Sequence, residues 1–293
     1  LVDMMLPCPV AVLMPVKNGA SHLAQQVESL SSQNYPPGSL LISDDLSTDN
    51  SKKILRRLTQ NFPFPVHIMS GPGRGYQSNV AHLIRRAPSS FWAFCDQDDV
   101  WLPDRLDRAA LALKAFKRPA LHITARIATD PHLNQRRRIS CSMKADFQHA
   151  LFRNLAPANA TVLNPAAALL VQRNLPPEEL IPDFPDWWIY ALVLGVGGTI
   201  IFDWAPGVLY RQHQGNLFGA RHRIGVLRRA QFLANGSYRC WVHQIIRALK
   251  LSAPLLTPRN QKVLDRATRH PIFIYKENER NHDRETTGKL KRT

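Results

Sequence analysis

At 293 residues and 33.2 kDa, with 44% hydrophobic and 20% charged residues, the chain can bury a sizeable core as one large domain or two smaller ones; a collagenous, low-complexity or coiled-coil protein is excluded. Lys and Arg number 38 against 22 Asp and Glu, a formal charge of +16 that suits partners bearing phosphate, carboxylate or anionic lipid. The excess lies mainly in residues 221–293, where 17 basic residues face 5 acidic ones. Cys8, Cys95, Cys141 and Cys240 are scattered and form no CxxC pair, so neither a zinc knuckle nor a disulfide framework is indicated, and a reduced, cytoplasmic setting is expected. The apolar start, LVDMMLPCPVAVLMPV, has no basic n-region and carries prolines, which argues against a signal peptide. Residues 191–202 are apolar but fall short of the roughly 20 needed to cross a bilayer, so no transmembrane helix is expected.

Residues 10–16 (VAVLMPV) read as a buried strand, and 21–33 place Leu23, Val27 and Leu30 at helical spacing after Ser21 as cap. A second strand at 39–45 runs into Asp44 and Asp45, and Ser47 and Asp49 can cap a helix bearing Ile54, Leu55 and Leu58. VHIMS (66–70) leads through GPGRG (71–75) into a helix with Val80, Leu83 and Ile84; SFWAFC (90–95) then ends in DQDD. This β-α-β-α-β-α-β order predicts a doubly wound, mostly parallel sheet, in which ligands bind beyond the carboxyl ends of the strands. Asp44, Asp45, Asp96, Asp98 and Asp99 would gather there. Such crowded carboxylates ask for a cation, and a divalent ion holding a diphosphate would supply it, although a solvated acidic turn is the simpler reading of an isolated DxD.

Farther along, a helix is expected at 104–117, a basic loop at Arg136–Arg138, a helix at 145–154, another at 186–197, strands at 199–204 and 207–211, and three basic helical stretches from 221 to about 268. Residues 1–220 are taken as one domain with halves 1–106 and 107–220, followed by a basic helical extension (221–275) and a polar, disordered tail (276–293).

The segments VAVLMPVKNGASHLAQQVESLSSQNYP, LLISDDLSTDNS, GPGRGYQSNV and FWAFCDQDDVWLPDRL stand in the order and spacing of glycosyltransferase family 2 and resemble its nucleotide-binding half. FPDWW and YRQHQGNLFGA extend the resemblance toward the rhamnosyltransferase-like branch of that family, to about residue 220. The resemblance implies the GT-A fold and inverting, metal-dependent transfer of a sugar from a nucleotide sugar, dTDP-rhamnose foremost, to a glycan or lipid-linked acceptor, with Mg²⁺ or Mn²⁺ as cofactor.

Matched residue by residue, it implies that Pro15, Val16, Asn18, Asp44, Asp45, Gly75 and Asn79 line the nucleotide, that Asp96 faces the ribose or sugar, and that Asp98 binds the metal. Asp99 would support the loop, His213 would touch the metal or diphosphate, and Arg211 would clamp the anion. Asp186 would be the general base, with Trp187 and Trp188 packing an acceptor sugar or, alternatively, belonging to the core. Ser78 stands where an arginine is frequent, with Arg74 as a substitute charge; Pro185 stands where a histidine or acid is usual; and Ala167 or Ala168 replaces a glycine and would narrow the acceptor pocket. Arg221, Arg223, Arg228 and Arg229 occur with Ile224, Leu227, Phe232 and Leu233, and Trp241, Ile245, Ile246 and Leu249 continue the pattern, which suits helices lying on an anionic membrane or packed on the catalytic domain. A scaffold that has lost activity and a nucleic-acid-binding protein are the competing readings. The second leaves the carboxylates unexplained and has no recognition-helix, RRM or zinc-finger pattern to support it.

Overall fold

A computed structural model describes residues 10–60, 62–134, 136–139, 145–213 and 236–269. The first half follows the expected alternation: β1 (Val10–Val16), α1 (Leu23–Ser31), β2 (Ser39–Asp44), α2 (Ser51–Leu58), β3 (Val66–Ser70), α3 (Tyr76–Arg86) and β4 (Phe91–Phe94). β1 pairs in parallel with both β2 and β4, and β2 with β3. The register sets Val16 beside Asp44 and Asp44 beside Ser70, so the loops after these strands open at one edge. β1 is buried along its whole length, which is why it reads as a continuous apolar run.

The second half is mixed. It contains β5 (Val100–Trp101), α4 (Arg105–Leu113), β6 (Ala120–Thr129), β7 (Arg136–Ile139), α5 (Phe147–Ala150), β8 (Thr161–Leu163), α6 (Pro165–Arg173), α7 (Pro185–Gly195) and β9 (Thr199–Arg211). The sheet order is β3-β2-β1-β4-β8-β6-β9-β5, with β7 also on β6. β8 is antiparallel to both β4 and β6, while β6 and β9 run parallel. The basic segment expected as a loop is strand β7, its arginines facing outward on an antiparallel pairing. The two strands expected at 199–204 and 207–211 are one, because the bulged register with β6 carries the chain through Ala205–Gly207 without breaking the ladder. Ser21 is not a cap: α1 begins after His22, without a side-chain cap bond.

α8 (Ser237–Leu251) and α9 (Pro258–Arg269) follow; residues 221–235 and the tail from 270 onward, including the expected basic helix and disordered end, lie outside the described residues. Ile245, Ile246 and Leu249 are buried in the main apolar cluster and Trp241 packs against it, so these side chains join the core instead of facing a membrane. α7 is apolar on every side, as befits a helix buried between sheet and helices. Its end at Gly195 is closely approached, since a Cβ there would stand 2.6 Å from Leu256 and 3.0 Å from Phe147. Among the described residues, no helix is long and apolar enough to cross a membrane.

α4 is tied to β9 through a charged cluster. Arg108 Nε donates to Asp203 Oδ2 at 2.9 Å, His122 Nε2 lies 3.4 Å from the same oxygen, and Asp104 also pairs with Arg108. Burial works to raise the Asp203 carboxyl, but bonds from His122, the Ala205 N–H and Arg108 outweigh it and hold the group at about 2. A depressed carboxyl stabilises the fold above its unfolded value of about 4, and that contribution is lost as pH falls toward about 2. Urea titrations across this range are expected to show wild type losing stability more steeply than Asp203→Asn, which is the weaker protein at neutral pH and the flatter one in acid.

Candidate active site

The site is built where β1, β2 and β4 end. Gly73 and Gly75 both have positive φ (71° and 95°), which frees their N–H groups to turn inward; they donate to Asp45 Oδ1 at 2.6 Å and Oδ2 at 2.9 Å. Asp45 thus holds the glycine loop. Asp44, equally buried, keeps one carboxylate oxygen, Oδ1, without a protein partner. Asn79 is also buried and ties α3 to β2 through its amide and the Ser43 carbonyl at 2.8 Å, leaving its own Oδ1 unpartnered.

Pro15 and Val16 end β1, and the next turn is stitched across to the β2–α2 connection. Asn18 adopts φ 49°, its Oδ1 accepts the Thr48 N–H at 2.8 Å, and its own N–H donates to Ser47 Oγ. Lys17 Nζ donates to the carbonyls of Asp45 and Leu46. Leu46, also at positive φ and 54% exposed, leans on Gly73 beside this rim. Arg74 is exposed, and Ser78 is buried and bonds Glu178.

DQDD follows β4. Gln97 pairs with the Lys17 backbone at both its N–H (2.9 Å) and C=O (3.0 Å), locking the end of β4 to the end of β1. Asp99 is fully buried; Asn159 Nδ2 donates to it at 2.6 Å and the Arg211 N–H at 3.1 Å. These bonds tie the DQDD turn to β9 and to the segment before β8. Asp98 Oδ2 lies 2.7 Å from His213 Nε2, and the His213 ring stacks on His22 with centroids 5.2 Å apart. Asp186 opens α7: Asn154 Nδ2 (2.9 Å) and the Ala158 N–H (3.1 Å) donate to Oδ2, and the Trp187 N–H to Oδ1.

These carboxylates face one another. Burial, then Asp98 and Asp186, push the Asp96 carboxyl up to about 7. Burial likewise raises Asp99 well above the ordinary range, with Asp98 and Asp96 adding to it, and raises Asp186. Tyr76, at the start of α3, feels all four: burial, then Asp96 and Asp186, hold its phenol protonated. Of the residues expected at the site, the structure gathers Asp96, Asp98, Asp186 and His213 here, and adds Tyr76, Gln97 and His22. Tyr76 was hidden because a lone tyrosine after a glycine loop has no distinguishing pattern. His22 occupies a position read only for helical spacing.

Three expectations are revised. Trp187 and Trp188 are 5% and 0% exposed inside the main apolar cluster, the first donating to the Ala150 carbonyl at 2.6 Å, so neither presents a face to an acceptor sugar. Ala167 and Ala168 are fully buried in the same cluster and line no acceptor pocket. Arg211 is also turned inward, with Nε on the Asp98 carbonyl (2.7 Å), Nη2 on Gln25 (2.6 Å) and Nη1 on the Pro131 carbonyl. An anion clamp would require breaking those bonds.

A parallel β-α-β half ending in clustered carboxylates, continued by a mixed half that brings a further acid and a histidine to the same edge, is the GT-A arrangement. Crystal structures of Staphylococcus aureus TarS residues 1–349 share this fold, with a TM-score of 0.56 at 16% identity over 94% of this chain and 92% of that one. The chain belongs to glycosyl transferase family 2, whose family model matches residues 11–172. It is 26% identical over 252 residues to a dTDP-rhamnosyl transferase, RfbG, of Shigella flexneri, covering 80% of this chain and 84% of that one. A teichuronic acid biosynthesis glycosyltransferase, TuaG, assigned in Bacillus subtilis is 29% identical over 102 residues, 34% of this chain and 39% of its own. The protein is a glycosyl transfer enzyme that uses a nucleotide sugar and a saccharide acceptor.

Because burial and neighbouring acids raise the Asp96 carboxyl, the free protein is expected to lose stability as pH climbs from about 4 through about 7, where the folded state must ionise that group. Asp96→Asn is expected to flatten that slope and to raise the unfolding free energy near about pH 8 by on the order of 2 kcal/mol, with no gain below about pH 4, read by urea denaturation. For His22, replacement by Phe is expected to keep the stacked support of His213 and replacement by Ala to loosen it, visible as a broadened His213 imidazole signal by NMR in the alanine variant alone.

Proposed function

We propose that the enzyme transfers L-rhamnose from dTDP-rhamnose, with inversion, to a hydroxyl of a glycan or lipid-linked saccharide in surface polysaccharide synthesis. The observation that carries the donor is the similarity to the dTDP-rhamnosyl transferase, which runs along most of both chains. The UDP-glucose-dependent relative WfgD of Escherichia coli matches over only 33% of this chain.

In this reading the pyrimidine N3–H meets the unpartnered Asp44 Oδ1, at the floor between the turns carrying Pro15 to Asn18 and Gly75. Asp45 and Asn79 act behind it by holding the glycine loop and α3. Asp96 faces the sugar. The donor set at Asp98 and His213 fits a divalent cation: one carboxylate oxygen and one imidazole nitrogen stand together beside acids whose mutual repulsion a cation would relieve. Among the described residues, no group of three or more His, Cys, Asp or Glu is placed to hold a metal alone, so diphosphate oxygens and water would complete the shell. Mg²⁺ or Mn²⁺ bound there would neutralise charge on the departing diphosphate.

Asp186 acts as general base. As the acceptor oxygen bonds to the anomeric carbon, the bond from that carbon to the diphosphate breaks and its electron pair leaves with the phosphate, while the acceptor proton passes to the Asp186 carboxylate. Entry opposite the leaving group inverts the configuration. Burial raises the Asp186 carboxyl and makes it a stronger base, while bonds from Asn154 and Ala158 keep it in place.

Calorimetry with dTDP, UDP and GDP, each with Mg²⁺ or Mn²⁺ and with EDTA, is expected to show metal-dependent binding of dTDP that Asp98→Ala abolishes; preference for UDP would overturn the donor assignment. Asp186→Asn is expected to lower kcat by about 10²–10⁴-fold with dTDP binding intact, and unchanged transfer would remove Asp186 from the mechanism.

A further inference from the structure

The outer face of the C-terminal helix pair is left unused by the catalytic chemistry. α8 turns Ile245, Ile246 and Leu249 into the core, and α9 turns in Leu264 and Ala267. Arg247, Lys250, Arg259 and Lys262 remain exposed, and the single acid between residues 236 and 269 is Asp265. At the corner between the two helices, apolar side chains stand outward as well: Leu251 is 50% and Leu255 48% exposed. One exposed leucine is ordinary. Two at one corner, flanked by four cations, combine apolar insertion with attraction to negative headgroups.

We propose that this corner docks the enzyme on an anionic bilayer, Leu251 and Leu255 entering the headgroup layer while Arg247, Lys250, Arg259 and Lys262 meet lipid phosphates. Charge complementarity selects an anionic partner, and the leucines select a lipid surface over nucleic acid, whose phosphates would engage the cations and leave the apolar pair in water. The corner is rigidly joined to the site. Asn260 Nδ2 donates to the carbonyls of Leu194 (3.1 Å) and Gly195 (3.0 Å), and the Thr257 N–H donates to Gly195 at 3.0 Å, so α9 closes the C-terminal end of the helix whose first turn bears Asp186. Docking therefore sets the orientation of the general base relative to the membrane plane, a geometry suited to an acceptor carried by a lipid. The docking itself does not depend on which sugar is transferred.

The test is sedimentation of the full chain with phosphatidylcholine vesicles, with and without phosphatidylglycerol. Wild type is expected to bind only the anionic vesicles and to be released by salt. Leu251→Ser with Leu255→Ser, and separately Lys250→Glu with Arg259→Glu, are each expected to weaken binding by about tenfold or more. Lys52→Glu with Lys53→Glu, an equal charge change on exposed α2 residues, is expected to stay much nearer wild type. Circular dichroism and dTDP calorimetry on each variant establish that the fold and donor site are intact. Corner variants that bind like wild type, an α2 pair that loses as much, or a loss of duplex DNA binding with vesicle binding unchanged would each overturn the proposal. Absence of dTDP binding in all proteins would count against the donor assignment alone.

Discussion

The structure depends on keeping several carboxylates close together in a place that partly excludes water. Left to themselves, Asp96, Asp98, Asp99 and Asp186 would repel one another, and the chain answers with neutral or well-placed donors instead of a ring of arginines. Asp99 takes an asparagine amide and a backbone N–H; Asp186 takes an amide and two backbone N–H groups. Asp98 alone is met by a group that can also ligate a metal, His213. Burial first, and then the residual repulsion from Asp98 and Asp186, show in the raised Asp96 carboxyl. A negative pocket held open in this way is preorganised for a cation bound to phosphate, so the electrostatic strain and the proposed function are two aspects of one arrangement.

The nucleotide half was legible because local signals and global fold agree there. Buried parallel strands produce uninterrupted apolar runs, amphipathic helices separate them, and the acids fall where strands end; β1 and β3 coincide with their expected limits. The other half was harder because its pairing is nonlocal and antiparallel. β8 is only three residues long and β5 two, too short for any periodicity. β7 carries three arginines and joins the sheet through its backbone pairing with β6 and the Arg138 bond to the Trp204 carbonyl, which no hydrophobic pattern announces.

At the site, residue type was informative and orientation was not. The acids and His213 were legible as a motif. Whether a side chain faces the cleft or the core is decided by packing around it: Trp187 and Trp188 follow Asp186 directly, yet the helix turns both into the apolar cluster. Arg211 has the composition of an anion binder, but neighbouring carbonyls and Gln25 engage its guanidinium. Tyr76 and His22 needed the tertiary structure to bring them beside the acids.

The bulge between β6 and β9 sits partway along the strand that carries Arg211 to the site. Below it Thr124 lies opposite Asp203, yet the next β6 residues, Ala125 and Arg126, face Pro206 and Val208, so β9 gains an odd number of residues across the irregularity. Side-chain parity along β9 is therefore reversed relative to β6 above that point. Arg211 and the histidine two residues on inherit their facing from the bulge, whereas Thr199–Asp203 inherit theirs from the core ladder. A lineage that gained or lost one residue at Ala205–Gly207 would reverse the facing of Arg211 and of the buried Val208 together, so the bulge couples what lines the cleft to what fills the core and holds both in register.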